Sequence, residues 1–172
     1  MRYFAVLLLL FAVGFALPAC AQKAETGKAT GKKVNKKAAK PQVEAGPVLT
    51  FERTPCYGTC PGYTMQVFAD GRVAYEGRRA VPLMGKKELR LPPATVATLL
   101  RTAREAHFDQ FQDRYSRGAT DLPSTIVAVR QPAGQLKTVV LEDDAPENVQ
   151  SLFTYLGNQF DALAQLGAKP DK

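Results

Sequence analysis

The chain has 172 residues, 45% of them hydrophobic and 23% charged, the balance of one soluble globular domain with tails and without room for a second domain. Its long apolar run, residues 4 to 17, falls short of the roughly 20 residues that a membrane-crossing helix needs, which excludes a multispan membrane protein. The formal charge of +7 would suggest nucleic acid, but residues 22–47 hold seven Lys against Glu25 and Glu44, while residues 48–172 hold 15 basic against 14 acidic residues. A folded part so nearly neutral implies no nucleic-acid partner.

Arg2, the apolar run to Leu17 and the small residues through Ala21 have the layout of a secretory signal, so residues 1–21 are expected to be a signal peptide and the mature chain to be exported. Two endings stay open in Leu17-Pro18-Ala19-Cys20-Ala21-Gln22. If the segment resembles a lipobox, cleavage leaves Cys20 as the lipidation site; if Ala19-Cys20-Ala21 is an ordinary small-x-small site, Cys20 leaves with the peptide. Pro18 departs from the lipobox pattern, whereas the polar tether behind Cys20 suits an acyl anchor. The expected location is the periplasm or, in a Gram-negative host, a lipid anchorage at the outer membrane, because Ala21 is not the Asp that resembles an inner-membrane retention signal. Residues 22–47 contain no aromatic residue and only two Val, too little apolar surface to offset ordering, and read as a disordered Lys-rich linker. Such a coil reaches about 30 Å, and its lysines are drawn to anionic head groups, so the membrane is an expected contact through both anchor and linker.

The globular domain is expected over residues 48–164, with residues 165–172 as a tail. Val48 to Arg53 reads as a strand; Pro55 to Pro61 interrupts it, and Gly62 to Ala69 places Tyr63, Met65 and Val67 on one face. A strand over Arg72 to Arg78 follows. A two-residue Asp70-Gly71 turn would set the apolar residues on opposite faces, whereas a three-residue loop, Ala69-Asp70-Gly71, pairs Val67 with Val73 and Met65 with Tyr75; Gly71 is therefore expected in the left-handed conformation. Lys86 to Leu91 adds a fourth strand.

Pro92-Pro93 opens a helix with Val96, Leu99, Leu100, Ala103 and His107 on one stripe. His107, the single histidine, is expected to extend that stripe and meet the terminal carbonyls. After a polar loop, Gln112 to Pro123, the segments Ser124–Arg130 and Leu136–Leu141 form a second hairpin. The last helix has Asp144 as its expected N-cap, Pro146 in its first turn, and a stripe of Val149, Leu152, Phe153, Leu156, Phe160 and Leu163. The order ββββαββα predicts an α+β fold in two layers, a mostly antiparallel sheet with two amphipathic helices on one face.

Cys56 and Cys60 flank Tyr57-Gly58-Thr59 between two strands. In an exported chain these two thiols are expected to form a disulfide whose short ring holds Tyr57 and Thr59 on a rigid knuckle. Tyr57 either folds back on the sheet or stands out as a contact point. The run Thr54, Cys56, Gly58, Cys60, Pro61, Tyr63, followed by Asp70, Gly71, Val73, Tyr75 and Gly77, resembles a family of small exported bacterial domains, Domain of Unknown Function sixty-four thirty-eight; the likeness continues at Thr120 to Pro123 and Ala145-Pro146. The resemblance implies a fold and an exported setting, with no activity or catalytic residue to carry over.

Chemistry-bearing motifs are sparse. Two Cys and one His fall short of a zinc set, Glu142-Asp143-Asp144 lacks calcium-loop spacing, and no G-x-S-x-G or phosphate-binding glycine pattern occurs; no catalytic residue, metal or cofactor is implied. The expected function is a non-enzymatic envelope module binding a protein or small-molecule partner, with Tyr57, Thr59, Arg114, Tyr115, Arg117 and Asp121 as candidate binding residues. In the long loop, Thr120 and Asp121 are alternatively turn-fixing residues. The competing class is a thiol-disulfide redox protein using Cys56 and Cys60.

Overall fold

A computed structural model of the chain describes residues 46–167. The expected signal peptide, Cys20, residues 22–45 of the linker and the last residues of the tail lie outside the described residues. The elements are β1 (Leu49–Arg53), β2 (Gly62–Val67), β3 (Arg72–Arg79), β4 (Gly85–Arg90), α1 (Pro93–Glu105), β5 (Arg114–Tyr115), β6 (Thr125–Arg130), β7 (Leu136–Leu141) and α2 (Glu147–Leu163). They build an α+β domain around one seven-stranded sheet of order β4-β3-β2-β1-β6-β7-β5. All neighbours run antiparallel except β5, which lies parallel to β7.

Alternation decides which face is covered. Leu49 and Phe51 of β1, Tyr63, Met65 and Val67 of β2, Val73 and Tyr75 of β3, Val127 and Val129 of β6 and Val139 of β7 all project to one side and are buried. They meet Val96, Leu99 and Ala103 of α1 and Val149, Leu152, Phe153, Leu156 and Phe160 of α2 in a single core. Phe51 stacks on Phe160 at 4.7 Å between ring centroids, and Tyr63 lies 5.9 Å from both Phe51 and Tyr75, so aromatic contacts run from α2 across the inner strands. Both helices cover this face.

The first hairpin has the expected register: Val67 opposes Val73, and Met65 opposes Tyr75. Gly71 stands at φ 87, and a Cβ there would meet the Leu91 carbonyl oxygen at 2.1 Å; the Leu91 N–H in turn donates to the Gly71 carbonyl at 2.9 Å. The turn residue thus holds the exit of β4 as well as reversing the chain. Gly77 serves a different need, since a side chain there would collide with the Leu83 carbonyl oxygen at 2.0 Å. That carbonyl accepts the Tyr75 hydroxyl at 2.7 Å.

Three expectations fail. His107 does not extend the α1 stripe: the helix ends at Glu105, and His107 is exposed at φ 57, a left-handed residue that starts the 3-10 turn Phe108–Gln110. Phe108 and Phe111 fill the core there instead. Asp144 does not cap α2, whose N-cap is Pro146 with no side-chain hydrogen bond. The stretch 112–123 is not wholly a loop, because Arg114 and Tyr115 form β5.

Candidate functional site

The cysteine loop leaves β1 at Thr54 and enters β2 at Gly62. Its root is sewn to the start of β6: the Thr54 N–H donates to the Ser124 carbonyl at 2.9 Å, and the Ser124 N–H donates to Thr54 Oγ1 at 2.7 Å. Cys56 and Cys60 are bridged, with Sγ atoms 2.00 Å and Cα atoms 5.5 Å apart. The Gly58 N–H points at Cys56 Sγ at 3.3 Å, and Arg79 Nη1 donates to the Cys56 carbonyl at 3.4 Å. The bridge and these contacts restrain the ring, yet the side chains of Tyr57 and Thr59 stay outside. Tyr57 is 94% exposed, and Thr59 is exposed beside it.

The residues flanking the loop carry a polar cluster that sequence reading does not single out. Arg53, last in β1, has the same inward parity as Leu49 and Phe51. Its Nε donates to Asp161 Oδ1 at 2.8 Å and its Nη2 to Oδ2 at 2.6 Å, a forked pair across 108 residues. The Tyr63 hydroxyl donates to Asp161 Oδ1 at 2.5 Å. Gly157, one turn before Asp161 on α2, makes room for the fork, since a Cβ there would stand 2.8 Å from Arg53 Nη2. Burial, then the hydrogen bond to Asp161, drive the Tyr63 hydroxyl far above the usual tyrosine range. For Arg53, burial pulls downward, but the hydrogen bond and charge of Asp161 outweigh it and the guanidinium is held more firmly protonated. With every member satisfied, the cluster clasps α2 to the foot of the cysteine loop. Its sequence signal was slight: a charged residue at an inward position of β1, and Asp161 bordering an apolar stripe.

The candidate residues of the second loop behave differently. Tyr115 is buried, and its hydroxyl accepts the Gln112 N–H at 3.0 Å, so it belongs to the core and offers no contact surface. Arg114 pairs with Glu142. Arg117 pairs with Asp144 at 3.0 Å, and its N–H donates to Asp143 Oδ1 at 2.9 Å. Asp143 is held below the usual carboxylate range by the backbone N–H of Asp144 and then that of Arg117. The acidic run Glu142-Asp143-Asp144 thus anchors the loop, which is the use that replaces helix capping. Asp121 is exposed and stands at φ 64. Glu142 also accepts from the Ser124 hydroxyl at 3.3 Å, so the Arg114 pair reaches the strand start on which the cysteine loop is rooted.

Fold and site together define a small α+β domain with a helix-covered sheet and a bridged knuckle at one end; among the described residues no group of three or more His, Cys, Asp or Glu is placed to hold a metal ion. No described helix is long and apolar enough to cross a membrane. The chain belongs to the family described as Domain of unknown function (DUF6438), which matches residues 47–160. A comparison with curated proteins finds no match.

Proposed function

We propose that this chain is a non-enzymatic recognition module, exported and held at the cell envelope, that presents the Cys56–Cys60 knuckle to a partner. The observation that carries the reading is Tyr57, 94% exposed on a ring closed by a disulfide and rooted on β6. An exposed aromatic on a backbone that is already ordered buries large area on binding and loses little rotamer entropy. Export supports the bridge, and the bridge supports export, because such a pair persists in an oxidising compartment. The N-terminal pattern of residues 1–21 supplies the route, and Cys20 the acyl anchor.

The test is a pair of variants in the full chain. Tyr57→Ala should keep the melting temperature within roughly two degrees, since exposed side chains contribute about 0.5 kcal/mol or less to folding, while losing envelope components that co-purify with the wild type. Tyr63→Ala should destabilise by about 3 kcal/mol. Equal destabilisation by the two variants, or an unchanged set of captured components with Tyr57→Ala, overturns the reading. A reduction potential of the cysteine pair well above about −300 mV would favour thiol exchange instead.

A further inference from the structure

The face of the sheet turned away from the helices carries a groove of about 520 Å³ over β2, β3 and β4, within the roughly 300–1,000 Å³ typical of small-molecule sites. Strand register explains its shape. On this face Gln66, Ala74 and Glu88 form one cross-strand row, and Thr64, Glu76 and Lys86 form the next. Ala74 is the small residue among long ones, so the sheet is hollow where its methyl lies.

The groove has two properties that point to a ligand class. Thr64 Oγ1 is buried and is the one buried side-chain polar atom, among the described residues, with no hydrogen-bond partner. A desolvated hydroxyl left unmade is costly, and Gln66, Glu76 and Lys86, the lining residues beside it, have side chains long enough to move and admit a partner. The walls also alternate in sign. Arg72, stacked over the Phe68 ring at 3.8 Å from its centroid, stands with Lys86 against Glu76 and Glu88 on this face. An anionic ligand would meet two carboxylates, a cationic ligand two basic groups, and an apolar ligand would desolvate all four charges. A neutral polyhydroxylated ligand satisfies both kinds of wall, because each hydroxyl donates to a carboxylate or amide oxygen and accepts from an ammonium, guanidinium or threonine hydroxyl.

We infer that this groove is a second binding site, distinct from the cysteine knuckle, for a neutral saccharide, with Ala74 and Thr64 as its floor. The inference does not depend on the knuckle reading. Its test is an amide-resolved NMR titration of the full chain with chitotriose and maltotriose, two neutral oligosaccharides that differ in their hydroxyl and acetamido groups, and with a glutamate hexapeptide as the charged comparison. At least one saccharide should produce saturable shifts confined to β2, β3 and β4. Ala74→Leu fills the hollow and should abolish them; Thr64→Val removes the unpaired hydroxyl and should weaken binding roughly fivefold while melting no lower than the wild type. Tyr57→Ala should bind saccharide as the wild type does, which separates this site from the knuckle. Absence of saturable shifts with both saccharides overturns the inference, as do shifts that survive Ala74→Leu in a folded variant or saturation by the glutamate peptide alone.

Discussion

The cysteine loop and the stretch 112–123 are both polar connectors, and both hold an aromatic residue flanked by hydrogen-bonding groups, yet the structure uses them in opposite ways. In the cysteine loop the backbone is fixed by a covalent bridge and by the Thr54–Ser124 hydrogen bonds, which leaves Tyr57 unengaged. In the other connector the side chains do the fixing: Arg114 and Arg117 are taken up by Glu142 and Asp144, and Tyr115 by the core. A side chain spent on holding its own loop costs binding energy to release. Availability for a partner therefore depends on what else restrains the backbone, and a long polar loop is not for that reason a recognition surface.

The contrast can be broken first at the clasp that flanks the cysteine loop. Asp161→Asn removes the charge that neutralises Arg53 and one acceptor of the forked pair, and should cost about 3 kcal/mol by chemical denaturation. A cost no larger than that of an exposed ion pair would mean that the loop stands without the clasp. Next comes the bridge. Closing a five-residue ring contributes about 2 kcal/mol, so Cys56→Ala should lower the melting temperature yet leave the fold assembled by the helix-covered core. Unreacted cysteines after thiol labelling of denatured, exported wild type are the matching observation, and full labelling at both positions contradicts it.

A smaller effect has a pH signature. The Tyr63 hydroxyl titrates higher in the folded chain than in the unfolded one, because burial and Asp161 favour its neutral form; Tyr75 shifts the same way by burial. Their stabilisation is full below the unfolded tyrosine value of about 10 and is lost as pH rises above it, since the unfolded chain then releases protons that the folded chain keeps. Tyr63→Phe should therefore cost about 1 kcal/mol at neutral pH and flatten the fall in stability between pH 10 and 11. An unchanged alkaline slope would remove Tyr63 from the account. The smallest effect belongs to the second connector: Arg117→Ala should leave the melting temperature nearly unchanged, and added salt should erase what difference there is, because that pair is solvent-exposed. A large loss would show that the acidic run holds more of the fold than its exposed geometry allows.

The regular elements were legible along the chain because each carries a repeating signal. Period-two alternation ties Val67 to Val73 and Met65 to Tyr75, since a slip of one residue would turn the apolar set of β3 out of the core. The stripes of α1 and α2 are legible for the same reason at a period of 3.6. Cys56 and Cys60, four residues apart, are close enough for the chain itself to bring them together. None of this requires knowing which strand lies beside which.

Only the tertiary structure decided the rest, and in each case the partners are remote or the local signal is ambiguous. Arg53 and Asp161 meet because β1 takes the centre of the sheet, between β2 and β6, and α2 crosses over it; no pattern near Arg53 encodes a carboxylate 108 residues away. Two residues are too few to show strand periodicity, so β5 exists only because β7 offers a free edge to Arg114 and Tyr115. Asp144 had the composition of a helix cap, but Arg117 approaches it from the other connector. The hollow at Ala74 likewise depends on cross-strand neighbours, Gln66 and Glu88, that are set by pairing and not by chain order. Local periodicity determines the elements, whereas charge pairing and surface shape depend on which elements the fold makes adjacent.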